Sequence, residues 1–182
     1  MASIHGIILK NLESRESHDS TPYHMGDLYL NDKRLGYWSQ NYKHALTDIL
    51  QLEPQYDEQK LRNAVRQMNA DKAITVPGND FPIEYPLESL MCDLVWLCQM
   101  EALYQGAIAN GKIGILVSTD NQHIKAWEIP PSCAGKDVLA LCRPLLEKAH
   151  KGFYKNAKIR DLYYTEGSFS IGEPIRLENI LK

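Results

Sequence analysis

The chain has 182 residues, of which 44% are apolar and 24% charged, and its formal net charge is -3. These are ordinary globular proportions, which exclude a disordered chain, and the charge balance gives no global attraction to nucleic acid or anionic lipid. A chain of this length buries roughly 70 % of its unfolded surface, so the expectation is one globular domain over residues 1–182. The opening residues, MASIHGIILKNLESRE, hold neither a basic leader nor a long apolar stretch. With no secretory signal, the cysteines are expected to be reduced thiols of a cytoplasmic protein.

In chain order, residues 4–12 (IHGIILKNL) suit a first strand, and the polar residues 13–22 read as an exposed loop. Residues 25–40 (MGDLYLNDKRLGYWSQ) carry the clearest hairpin pattern: alternation over 27–30, turn residues over 31–34 and an aromatic return strand. Residues 42–53 are ambiguous between strand and short helix, with an extended segment expected near 49–52 before Pro54. Residues 57–70 predict an amphipathic helix, with Leu61, Ala64, Val65 and Met68 on one face. A brief strand over 73–76 and a turn-rich stretch over 77–82 follow.

Residues 86–111 (PLESLMCDLVWLCQMEALYQGAIANG) predict the organising helix, started by Pro86 and Glu88 and ended by Gly106, Asn110 and Gly111. At 100° per residue Leu87, Met91, Leu94, Cys98 and Ala102 fall on one side, flanked by Leu90, Leu97 and Ile108. Trp96, Met100, Leu103 and Ala107 fall on the opposite side. A helix apolar on both sides is covered from two directions, either by its own chain or by a partner. Asp93, Glu101 and the glutamines exclude a membrane span here. Residues 112–119 and 123–129 form a second hairpin pattern around Asp120 and Asn121. Residues 135–150 predict a third helix, interrupted by Pro144, and 157–164 a last strand; the tail is expected to be a short extended or helical piece. The fold class expected is α+β: a mainly antiparallel sheet built from two hairpins, packed on a long central helix and two further helices.

Chemical signatures are sparse. Cys92, Cys98, Cys133 and Cys142 include no C-x-x-C pair, so no metal site and no cofactor is expected. Cys98 and Cys142 fall on inward helical faces, whereas Cys133 precedes a helix start that could activate a thiol. His18 and His24 bracket a polar loop, and Ser118, Asp120 and His123 sit around one turn, the wrong support for a triad assembled from separate elements. Asp48, Glu53, Asp57 and Glu58 straddle a helix start, where acids favour the dipole without chemistry.

Two patterns bear on partners. Between residues 143 and 160, Arg143, Lys148, Lys151, Lys155, Lys158 and Arg160 face the single acid Glu147, with Phe153 and Tyr154 interleaved. That mixture suits either a solvated helix end or a nucleic-acid or phosphate-binding edge. Tyr23, Tyr29, Tyr37, Trp38 and Tyr42 cluster at the first hairpin, where they either pack the sheet or present a contact surface. The leading functional expectation is a non-enzymatic protein-interaction or self-association module, with no membrane partner. Its candidate surfaces are the back of the organising helix (Trp96, Met100, Leu103) and the aromatic hairpin (Tyr37, Trp38). Nucleic-acid or phosphate-ligand binding through Lys148, Lys151, Lys155, Lys158 and Arg160 is the alternative, and a hydrolase using Cys133 or a histidine is third.

Overall fold

A computed structural model describes residues 1–18, 22–41, 48–72, 84–119, 124–137, 140, 161–165 and 169–182. These fall into two compact units, Met1–Cys98 with Phe169–Lys182, and Gln99–Ser168. The first holds a six-stranded sheet in the order β5-β4-β3-β2-β1-β9. Its strands are β1 (Ser3–Ile4), β2 (Ile7–Glu16), β3 (Pro22–Leu30), β4 (Lys33–Ser39), β5 (Ile49–Leu52) and β9 (Ser170–Ile171). All neighbours are antiparallel except β1 and β9, which run parallel. The second unit holds β6 (Gly114–Thr119), β7 (Ile124–Ile129) and β8 (Asp161–Thr165) in the antiparallel order β7-β6-β8.

The α+β class holds, while its finer details need correction. The first hairpin is the middle of a longer antiparallel run from β1 to β5, and the parallel strand β9 makes that sheet mixed. The polar residues expected as a loop extend β2 to Glu16, and β3 begins at Pro22. Polar side chains are compatible with a strand whose far end has no covering layer: Glu13 to Glu16 are all exposed. Two α-helices are present among the described residues. The expected third helix (135–150) lies mostly outside them; at its described start Asp137 Oδ1 accepts from the Ala140 N–H at 3.0 Å, as an N-cap does. The expected strand at 73–76 and the turn at 120–121 also lie outside the described residues.

Turn chemistry sets the register. His5 (φ 52°) and Gly6 (φ 77°) make the two-residue turn joining Ile4 to Ile7, with the paired positive φ that matches the twist of the flanking strands. Between Leu30 and Lys33 the two-residue turn carries a positive φ at Asn31 alone (54°), and it is shorter than its polar residues implied. Asn11 (φ 53°) sits in a bulge between Lys10 and Glu13, where its amide reaches Asp27 at 2.8 Å. Gly36 lies so close to β5 that a Cβ there would meet Gln51 O at 2.1 Å.

The inner face of the sheet builds the core of this unit. Ile7, Leu9, Leu28, Leu30 and Trp38 are at most 5% exposed. Helix α1 (Glu58–Met68) adds Leu61, Ala64 and Val65; Asp57 caps it by accepting from the Lys60 N–H at 2.8 Å. Of helix α2 (Leu87–Ala109), the residues to Cys98 belong to the first unit and those from Gln99 to the second. In its first half Leu87, Leu90, Met91, Leu94, Val95 and Leu97 are buried. It ends where the sequence placed its stop: Gly111 (φ 71°) lets its own N–H reach Ile108 O and the Lys112 N–H reach Ala107 O. In the second unit Met100, Ala107, Ile115 and Ile129 are buried, and Asn110 Nδ2 donates to Glu128 Oε1 at 3.1 Å.

The C-terminal segment returns to close the first unit. Phe169, Ile175 and Ile180 are buried there, and Tyr56 bridges Leu181. The His5 ring, 8% exposed, has Nδ1 3.1 Å from Glu173 O and Nε2 3.3 Å from Asn69 Oδ1. It packs against Gly172, where a Cβ would fall 2.3 Å from the ring.

Candidate functional site

The outer face of the six-stranded sheet is one surface on which chemistry-bearing side chains gather. Alternation along a strand sends successive residues to opposite faces. While Leu28, Leu30 and Trp38 seal the inner face, Tyr23, Met25, Asp27, Tyr29 and Tyr37 are directed outward and are only half-buried. Ile8 and Lys10 of β2 lie beside Tyr29 and Asp27 in the register, and Gln51 of β5 beside Tyr37. At the rim Ile49 is 49% exposed.

Charges on this face are matched within it. Arg34 reaches Asp27 at 2.9 Å and Glu53 at 3.0 Å, and Arg15 reaches Glu13 at 2.8 Å. Lys10 Nζ stands 4.2 Å over the Tyr29 ring. Hydrogen bonds from Asn11 and Arg34 hold the Asp27 carboxyl below its ordinary range. The result is an apolar and tyrosine-bearing surface with balanced charge.

The five residues proposed as contact positions separate. Tyr37 lies on the outer face. Trp38, its neighbour, points the other way and is fully buried, its indole N–H donating to Asp48 Oδ2 at 2.8 Å; it is a core residue, not a surface one. Met100 is 3% exposed and likewise belongs to the interior, because the back of α2 is covered at that turn. Trp96 is half-buried, and Leu103 is 45% exposed. Ala102 and Ile108, placed on the inward side by helical spacing, are exposed. Lys148, Lys151, Lys155, Lys158 and Arg160 lie outside the described residues, as do Cys142, Asp120 and His123.

A second gathering of titratable groups lies behind Trp38. Arg62 of α1 donates through Nη1 to Glu88 Oε1 at 2.7 Å and through Nε to Glu58 Oε1 at 2.9 Å. Glu88 also accepts from the Asp48 N–H at 3.3 Å. Burial pushes the Asp48 carboxyl above its ordinary range despite the Trp38 bond, and the nearby Glu88 adds to the rise. Burial would raise Glu88 too, but the Arg62 hydrogen bond and charge together with backbone N–H donors, Asp48's among them, outweigh it and the net direction is down. Arg62 Nη2 is buried with no hydrogen-bond partner.

Further along α2, the Cys92 residue is exposed overall, yet its sulfur accepts from Gln40 Nε2 at 3.6 Å. Desolvation first, and Asp48 next, push that thiol up, away from a reactive thiolate. Tyr85 donates to Asp93, and burial with that bond raises the phenol. Sequence spacing gave no sign of this cluster, since Asp48 precedes β5 while Arg62 and Glu88 come from two different helices.

Cys133 ends a single 3-10 turn, Pro131–Cys133, and the helix expected after it lies mostly outside the described residues. Ser14 Oγ lies 2.8 Å from His24 Nδ1 across β2 and β3, and burial lowers His24 so that its ring favours the neutral form. His24 is a strand residue, not one end of a loop. Among the described residues there is no group of three or more His, Cys, Asp or Glu side chains able to hold a metal ion, and no helix long and apolar enough to cross a membrane. A shallow groove of about 360 Å³ runs between Ala64, Gln67 and Met68 of α1 and the segment 173–179. No protein-family model, curated protein or solved structure matches the chain.

Proposed function

We propose that this protein is a non-enzymatic interaction module that self-associates through the outer face of its six-stranded sheet. The observation that carries the reading is the contrast between the two faces: one is sealed by Leu28, Leu30 and Trp38, the other leaves Tyr23, Met25, Tyr29, Tyr37 and Ile49 accessible. Half-exposed tyrosines and an isoleucine beside arginines have the composition of protein contact surfaces. A second copy of the chain is the favoured occupant. Arg34 and Arg15 are already matched by Asp27, Glu53 and Glu13, so two identical faces can meet about a twofold axis without net repulsion.

Light scattering over a wide range of protein concentration tests this. The mass is expected to rise toward that of a dimer, and Tyr37→Ser and Tyr29→Ser are expected to shift the transition to higher concentration while the far-UV circular dichroism stays unchanged. A chain that remains monomeric throughout overturns the reading.

A further inference from the structure

The geometry points to strand β5 as an open sheet edge, and we propose that it pairs antiparallel with β5 of a second copy, joining two six-stranded sheets into one. This rests on the self-association reading but places the contact at the edge of the sheet instead of across its outer face. In the ladder, β4 residue 37 opposes Gln51 and residue 39 opposes Ile49. The Glu53 N–H donates to Leu35 O at 2.8 Å, in phase with these pairs. Antiparallel pairs alternate between bonded and non-bonded, so Ile49, Gln51 and Glu53 turn their backbone groups toward β4, and Leu50 and Leu52 turn theirs away from it. The Asp48 N–H follows the same phase: it points away from β4 and is taken by Glu88 Oε1.

Nothing described takes up the outward N–H and C=O groups of Leu50 and Leu52. Edges are protected by a charge, a proline or a bulge within the strand, by shortness, or by a covering helix or loop; β5 is four residues long, and Glu88 covers its edge at Asp48. Within the strand, Ile-Leu-Gln-Leu has no charge, proline or bulge; Pro54 comes only after it. Its side chains also await cover, with Ile49 49% exposed and Leu50 and Leu52 half-buried.

The sequence favours its own copy as the occupant. A twofold axis through Gln51 sets Leu50 against Leu52 of the second copy and Gln51 against Gln51, so no charge within the strand opposes its like. Two reciprocal pairs of backbone hydrogen bonds then form, the arrangement used whenever an extended segment is added to a sheet edge.

Amide exchange of the full chain, followed residue by residue by NMR at low and high protein concentration, reads these bonds directly. The Leu50 and Leu52 amides are expected to exchange freely at low concentration and to become protected as the dimer forms, while Gln51 is protected throughout by β4. Leu50→Pro removes an outward N–H without touching the β4 ladder and is expected to abolish the dimer. If the dimer forms but Leu50 and Leu52 stay unprotected, the edge pairing is wrong and contact through the sheet face stands. A strict monomer removes both. Should Leu50→Pro disturb folding, the exchange of the parent chain still decides the matter.

Discussion

Asp48 shows how a single side chain can hold a strand end and cost stability at once. It accepts from the Trp38 indole at 2.8 Å, which satisfies a buried donor, but burial and the neighbouring Glu88 disfavour its charge. Because its folded-state pKa is raised, the stability linked to its proton is fully present below the unfolded-state value of about 4 and is lost as pH rises through the folded-state value. Asp48→Asn keeps an oxygen for Trp38 and removes the charge. Urea denaturation is therefore expected to show Asp48→Asn more stable than the parent at pH 7, with the difference shrinking toward pH 4. A variant less stable than the parent at pH 7 would contradict this account. Glu88 has the opposite sign: against its burial, Arg62 and the backbone hydrogen bonds together lower its pKa, so its contribution is lost as pH falls.

At the scale of elements, what the sequence revealed depended on whether the signal was local. Helix α1 was legible because Leu61, Ala64 and Val65 recur at helical spacing behind a capping aspartate. The end of α2 was legible because only glycine readily takes the φ of Gly111. The extension of β2 through Glu16 was not, since polar residues in an open strand resemble a loop and their pairing with residues 22–25 is a non-local fact. Tyr37 and Trp38 lie on opposite faces by alternation, but which of them faces inward was not assignable until the register was fixed, and a slip of one residue would have exchanged them. The cap of α1 gives the prediction at this scale. Asp57→Ala leaves the Lys60 N–H without its 2.8 Å acceptor, and is expected to lower stability by about 1 kcal/mol in chemical denaturation. Asp57→Asn, which retains an acceptor oxygen, should recover most of that loss.

For the whole chain, the long-range device is the return of the C-terminal segment to the first unit, which no local pattern announced. Three of its side chains are core residues: Phe169 is 6% exposed, Ile175 3% and Ile180 0%. Backbone bonds tie it on as well, with the Ser3 N–H donating to Phe169 O, the His5 N–H to Ile171 O and the Ile175 N–H to His5 O. Burying a large apolar side chain contributes about 1.5–3 kcal/mol. The three together therefore supply an amount comparable with the entire stability of a typical domain, about 5–15 kcal/mol. Removing residues 169–182 is expected to abolish cooperative urea unfolding of the first unit and to leave the amides of β1 and β2 unprotected in hydrogen exchange. Ile180→Ala, a milder lesion at a fully buried site, is expected to cost about 2–5 kcal/mol while keeping a cooperative transition. If the truncated chain unfolded with an unchanged midpoint, the segment would be an appendage rather than part of the core. The graded response of the point variant separates that outcome from a general failure to fold.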